Sequence, residues 1–249
     1  MTYIKNIYEQ DRGRFYIEVL LISVTFLAFI RLQGFLIAYG EKSLQLDFSA
    51  FYTAGESLNA GLSPYKNYVE TRPEIWDGFN TYKHSRFLYP PLVAEFFRPF
   101  TLLPYHTAKY LWIYLSFILI LASVFLAFKA SDIKMNMQSV LLALLLLFLF
   151  HPLIKLLDGQ INGITLFLVI LGIYLISRKK YEWFAGALFA IAALLKLHNV
   201  LLLPFVLLSG ERRVLGGFAA GAAMIFAATL ILCGPNLTLT YITSEFPRI

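Results

Sequence analysis

The stretch WFAGALFAIAALLKLHNVLLLPFVLL, residues 183–208, decides how the chain is read. It is apolar at both ends and interrupted in the middle by Lys196, His198 and Asn199. Basic clusters flank it, Arg178-Lys179-Lys180 before and Glu211-Arg212-Arg213 after. Basic residues collect on the cytoplasmic side of membrane spans, so both clusters belong on one side and an even number of crossings separates them. Two arms of about 13 residues, at 1.5 Å rise, reach only about 20 Å each, short of a roughly 30 Å hydrocarbon core. The expectation is a hairpin of short helices over 183–208, with its KLHN tip partly buried under the outer surface. A single long tilted helix would put the second basic cluster on the wrong side.

Composition agrees with lipid as the solvent. Of 249 residues, 59% are hydrophobic and 14% charged, with mean hydropathy +0.68, against roughly 45–50% apolar and about 25% charged in soluble domains. A spanning helix needs about 20 apolar residues, which points to 15–38, 108–128, 160–177 and 214–232, with the shorter run 139–154 spanning beside its neighbours. Lys5, Arg12 and Arg14 precede the first span, Lys129 and Lys134 follow the second, and 178–180 follow the fourth. One orientation satisfies all three groups: a cytoplasmic N-terminus, with 41–107 and the turn near 151–160 outside. The final span then delivers 234–249 to the outer side. No small-residue cleavage site follows the first apolar run, so no cleaved leader is expected. The expected fold is an all-α integral membrane protein of the inner or plasma membrane, a single transmembrane domain over 1–249 with about seven membrane segments. The net charge of +6 sits at segment ends and no nucleic-acid-reading motif appears, so nucleic acid is not an expected partner. The single cysteine, Cys233, excludes an intrachain disulfide.

The outer loop 41–107 is too long to be structureless. A helix is expected from Phe48 to Ala60, ending at Gly61, and another from the Pro90–Pro91 pair, with Glu95 and Arg98 at i,i+3 spacing. Trp76, Tyr82, Tyr89, Tyr105 and Trp112 suit an interfacial aromatic belt.

Several side chains bear chemistry, and each has a plainer reading. Asp47, just before FSAFYTAGESLNA, is either a helix cap bonding the first free amides or a pinned carboxylate able to act as a base; local sequence leaves these even. In YKHSRFLYPPL, residues 82–92, Arg86 offers a planar fork of donors suited to phosphate. Lys83 and His84 read better as contacts to headgroups or water, and Tyr89 as structural. In HPLIKLLDGQING, residues 151–163, Gln160 and Asn162 offer neutral hydrogen bonds suited to sugar hydroxyls, while Gly159 and Gly163 permit close backbone approach. A simple turn, with Asp158 starting the next helix, is the local alternative, and His151 suits an interfacial position. Lys196 and His198 carry the strongest physical signal, because an ionised group at the bilayer midplane costs at least about 2.5–3.5 kcal/mol and so faces a cavity or a partner. Snorkelling of Lys196 to the surface is the lesser alternative. The four histidines show no metal-ligand spacing, and no metal or cofactor is expected.

Taken in order, LDFSAFYTAGESLNAGLSPY (46–65), FLYPPLVAEFFRPFTLLP (87–104), and GQINGITL (159–166) followed by GALFAIAALLKLHNVLLLP (186–204) resemble glycosyltransferase family 87. These are polyprenol-phosphate-mannose-dependent mannosyltransferases of bacterial envelopes, in the GT-C class. The resemblance implies a GT-C-like helical bundle and an inverting transfer on the outer face. The donor it implies is a polyprenyl-phosphate sugar, and the acceptor an envelope glycolipid or glycan. It implies that Asp47 is the general base and that Lys196, with Arg86 and His198, lies near the donor phosphate. Gln160, Asn162 and Tyr89 then contact sugar or acceptor. Family members are longer and carry further spans, so a truncated or short member is expected, with room for a second chain completing the bundle. The competing class is a non-catalytic membrane subunit, a lipid-sugar flippase or a transporter, since interrupted helices and intramembrane lysines also line transport sites.

Overall fold

A computed structural model describes residues 12–41, 46–66, 86–150, 153, 157 and 159–248. The described residues are helical, without strands. In chain order, α1 is Arg12–Glu41, α2 Leu46–Asn59, α3 Pro91–Phe97, α4 Tyr105–Ala130 and α5 Met137–Leu149. Then come α6, Asn162–Ser177, α7, Glu182–Leu195, α8, Leu202–Ser209, and α9, Arg212–Thr240. Three described helices are long and apolar enough to cross a membrane, Arg12–Ala38, Tyr105–Ala130 and Arg212–Glu245. Four shorter apolar ones accompany them, Met137–Leu149, Asn162–Ser177, Glu182–Leu195 and Asn199–Leu208. The protein is an all-α membrane protein.

Local chemistry sets the boundaries. Pro90 and Pro91 start α3, proline being suited to the first helical turn, where its missing N–H costs nothing. Arg98 pairs with Glu95 at 2.9 Å one turn on. Gly61, at φ +69, closes the chain after α2. Asn136 caps α5, accepting from the Ser139 amide at 2.8 Å while the Ser139 hydroxyl meets the Asn136 amide at 3.2 Å.

The helices pack in a chain of neighbours: α5 on α1, α4 on α6, α6 on α7, and α7 on α9. Small residues permit the last contact. Gly217 of α9 lies against Trp183 of α7, and a Cβ on Gly221 would come within 2.8 Å of the Ala187 Cα. Because 183 faces 217 and 187 faces 221, α7 and α9 run in the same direction. The chain between them therefore returns to its starting end. The return arm is uneven: a 3-10 turn over Leu197–Leu201, then the eight-residue α8. At 1.5 Å per residue the 14 residues of α7 span about 21 Å, less than a full hydrocarbon core.

The basic groups meet at one end of the bundle. Arg178 donates to Asp132 at 2.7 Å, and Arg213 pairs with Glu182 at 3.4 Å. Gln138, at the start of α5, reaches the buried Glu18 of α1 at 3.5 Å, and Arg14 pairs with Glu18 at 3.0 Å.

Two expectations change. Tyr105 and Trp112 do not form an interfacial belt; they are buried inside the protein, Trp112 completely. They join Phe48, Phe51 and Phe97 in one aromatic core, with the Phe97 and Trp112 rings 4.7 Å apart. Helices α2 and α3 cover the start of α4, so these rings find aromatic neighbours rather than headgroups. The last helix also does not stop near 232. It kinks at Gly234, at φ 78 and ψ 159, a conformation confined almost to glycine. It resumes at Pro235 and continues as a π turn over Tyr241–Glu245.

Candidate active site

The three motif-bearing stretches converge at the end opposite the basic groups. Gly159, at φ +76, brings the turn before α6 against the start of α2, where an added Cβ would lie 2.6 Å from the Phe48 amide nitrogen. Asp47 is the residue before Phe48. Helix α2 starts at Leu46, so Asp47 sits within its first turn rather than ahead of it, where the helix dipole favours negative charge.

Lys196 reaches the same place from α7. The helix ends at Leu195, and Lys196 is extended, at φ −145 and ψ 115. Asn199 stabilises the break by donating its side-chain amide to the Ala192 carbonyl at 2.9 Å, a second bond to the carbonyl that already accepts the Lys196 amide at 3.0 Å. The partly buried Lys196 Nζ donates to Gln160 Oε1 at 3.1 Å, and the Asp47 carboxylate acts electrostatically on the same ammonium.

Tyr89 completes the group. Its ring lies 4.8 Å from that of Phe51, and its backbone carbonyl accepts from the Tyr65 hydroxyl at 3.0 Å. Burial, then the nearby Asp47 charge, push the Tyr89 hydroxyl up to about 12, so it keeps its proton at ordinary pH. Asp47, Tyr89, Gln160 and Lys196 are thus brought together from four separated positions in the chain.

The other expected residues are less central. Asn162 is partly buried as the first residue of α6, two positions beyond Gln160. His198 lies in the 3-10 turn after Lys196. Arg86 has a partner that the local sequence did not reveal: its Nη2 donates to Glu245 Oε2 at 2.6 Å, the Glu245 side chain being 6% exposed. Its charge is therefore largely spent on tying the chain beyond the Gly234 kink to the loop before α3. Lys5, Trp76, Tyr82, Lys83, His84, His151 and Asp158 lie outside the described residues.

Lys109, fully buried as the fifth residue of α4, was not singled out from sequence. Its Nζ lies 5.6 Å from the Tyr105 ring and 5.9 Å from the Tyr110 ring. The available signal was an ionisable residue inside an apolar span.

Beside the site is an apolar cavity of about 320 Å³, whose walls include Pro90, Pro91, Ala193, Leu194, Thr238 and Tyr241. Pro90 follows Tyr89 directly, and Leu194 is two residues from Lys196. One side of the cavity is thus built by the helix beyond the Gly234 kink.

A sequence profile of glycosyltransferase family 87 matches residues 87–248. That range contains Tyr89, Gln160, Asn162, Lys196 and His198, while Asp47 and Arg86 precede it. No curated protein and no solved structure matches the chain. The profile covers well over half of the sequence, and the chain belongs to glycosyltransferase family 87.

Proposed function

We propose that this glycosyltransferase moves a hexose, mannose, from a polyprenyl-phosphate donor to a hydroxyl of an envelope glycolipid or glycan, inverting the anomeric centre. The observation that carries the reading is that Lys196 donates to the neutral Gln160, in the turn whose Gly159 packs against Phe48, the neighbour of the Asp47 carboxylate. An inverting transfer needs a base on one side of the sugar and a charge acceptor on the other. Asp47 takes the acceptor proton as the hydroxyl oxygen bonds to the anomeric carbon. The bond from that carbon to the phosphate oxygen breaks, and its electron pair leaves with the polyprenyl phosphate. Lys196 stabilises the growing negative charge where water is scarce and electrostatic interactions are strong. A positioned base contributes about 10²–10⁴-fold in rate.

Gln160 and Asn162 orient sugar hydroxyls, and Tyr89, which keeps its proton, donates to donor or acceptor. His198 is assigned to the phosphate as a second donor. Arg86 contributes to phosphate binding only through whatever charge its pair with Glu245 leaves uncancelled. The apolar cavity beside Tyr89 and Lys196, about 320 Å³, suits part of a lipid tail.

The test is incubation of membranes holding the protein with radiolabelled polyprenyl-phosphate mannose and lipid or glycan acceptors. Transfer of label to acceptor, dependent on Asp47, supports the reading. Movement of labelled donor across the membrane without product overturns it in favour of transport.

A further inference from the structure

The basic end of the bundle holds a second cavity, unrelated to the transfer site. It measures about 490 Å³ and is lined by Lys179, Tyr181, Glu182, Trp183, Phe184 and Arg213. The parallel course of α7 and α9 creates it: both helices begin at this end, and the turn Arg178–Tyr181 and the Glu211–Arg213 corner meet beside each other. Trp183 is held with its ring on Gly216, where a Cβ would lie 2.7 Å from the indole. Tyr181, Trp183 and Phe184 nevertheless remain 74%, 57% and 55% exposed.

The charge of this corner is positive, with Lys179, Lys180, Arg212 and Arg213 against Glu182 and Glu211. Only one ion pair among the described residues falls within it, Arg213 with Glu182 at 3.4 Å, and the Arg213 side chain is still 73% exposed. Exposed cations beside exposed aromatic rings, at the end of a membrane bundle, match both halves of an anionic lipid. Tryptophan and tyrosine favour the headgroup level, and basic pockets between helices attract anionic headgroups. A free phosphate ion would use the cations and leave the three rings without a partner.

The geometry points to a binding site for the phosphodiester headgroup of an anionic phospholipid in this cavity, held by Lys179 and Arg213 and flanked by Trp183 and Tyr181. Glu182 opposes the ligand and holds part of the Arg213 charge.

The full chain, reconstituted in phosphatidylcholine nanodiscs with a minor fraction of phosphatidylglycerol, tests the site by native mass spectrometry of retained phosphatidylglycerol. Each cation near a membrane surface strengthens such binding about fivefold, so Lys179→Gln with Arg213→Gln lowers retention roughly 20-fold or more. The charge-matched pair Lys129→Gln with Lys134→Gln, at the same end but outside the cavity, leaves retention close to wild type. Glu182→Gln raises retention, a gain that a misfolded protein cannot produce. Unchanged retention in the cavity double variant, an equal loss in the distant pair, or no gain in Glu182→Gln overturns the proposal. Displacement of the lipid by millimolar inorganic phosphate overturns the assignment to a lipid.

Discussion

Lys196 and Gln160 stand 36 residues apart in sequence and are joined by a 3.1 Å hydrogen bond from Nζ to Oε1. The bond fastens the broken tip of the α7–α8 hairpin to the turn that opens α6. Its acceptor is neutral, so Gln160 orients the ammonium without cancelling its charge. A carboxylate there would hold the lysine equally well but, added to the charge of the nearby Asp47, leave less attraction for a phosphate.

That choice of acceptor is testable. Gln160→Ala removes a hydrogen bond to a charged group, worth about 1.5–3 kcal/mol. We expect the donor KM to rise about tenfold or more, with a smaller change in kcat. Gln160→Glu keeps the bond but neutralises Lys196, so it raises the donor KM too. Initial rates against donor concentration check both; an unchanged KM in the glutamate variant contradicts the role given to Lys196.

Gly159 holds the turn against Phe48, beside Asp47. Gly159→Ala places a methyl group 2.6 Å from the Phe48 nitrogen at φ +76, adding a clash to backbone strain of about 1–3 kcal/mol. Gly61→Ala has the same kind of strain, at φ +69, with no atom within 4 Å of the added carbon. Both variants melt at lower temperature in detergent, but Gly159→Ala alone loses transfer activity under conditions where it is still folded. Equal activity in the two variants contradicts the link between Gly159 and the position of Asp47.

The Arg86–Glu245 pair joins the chain beyond the Gly234 kink to the loop before α3. Breaking a fully buried pair from one side costs about 3–5 kcal/mol; Arg86 is 48% exposed, which lowers the expectation to about 1–2 kcal/mol. Arg86→Ala leaves the buried Glu245 without this partner, and adding Glu245→Gln restores part of the loss. A double-mutant cycle on thermal unfolding in detergent measures it. Additive effects would show that the pair is not coupled.

Glu56 in α2 sets a pH dependence. Burial raises its pKa above the usual 4.5, while a hydrogen bond with Thr101 opposes the shift. The native state therefore holds the proton more tightly than the unfolded chain. The stability contributed by that proton is complete below about 4.5 and is lost as pH rises through the raised folded value. Glu56→Gln should match wild type in melting temperature at pH 4 and exceed it at pH 7. Melting curves at the two pH values decide this; a variant less stable at pH 7 contradicts the sign.

Much of the arrangement was legible in the sequence because it rests on local rules. The Pro90–Pro91 start, the Gly61 stop and the long apolar helices follow from backbone restriction and hydropathy. Helices α7 and α9 run in the same direction with the basic clusters 178–180 and 211–213 at their starts, and α7 ends at the visible interruption, Lys196. What could not be read were pairings across the fold. Arg86 finds Glu245 159 residues away, and nothing in YKHSRFLYPP points to it. Tyr105 and Trp112 have the composition of an interfacial belt, and only the packing of α2 and α3 over α4 makes them core. The Gly234–Pro235 dipeptide was a visible signal for the kink, but apolar run length alone ends the span before it.

The most direct test of the account is the turnover of Asp47→Asn with polyprenyl-phosphate mannose and acceptor, in protein checked for membrane insertion and an unchanged melting temperature. The asparagine keeps the size of the side chain and removes its ability to take a proton. The account predicts a fall in kcat of about 10²–10⁴-fold with little change in donor KM. A variant that inserts, melts normally and turns over near the wild-type rate would contradict it.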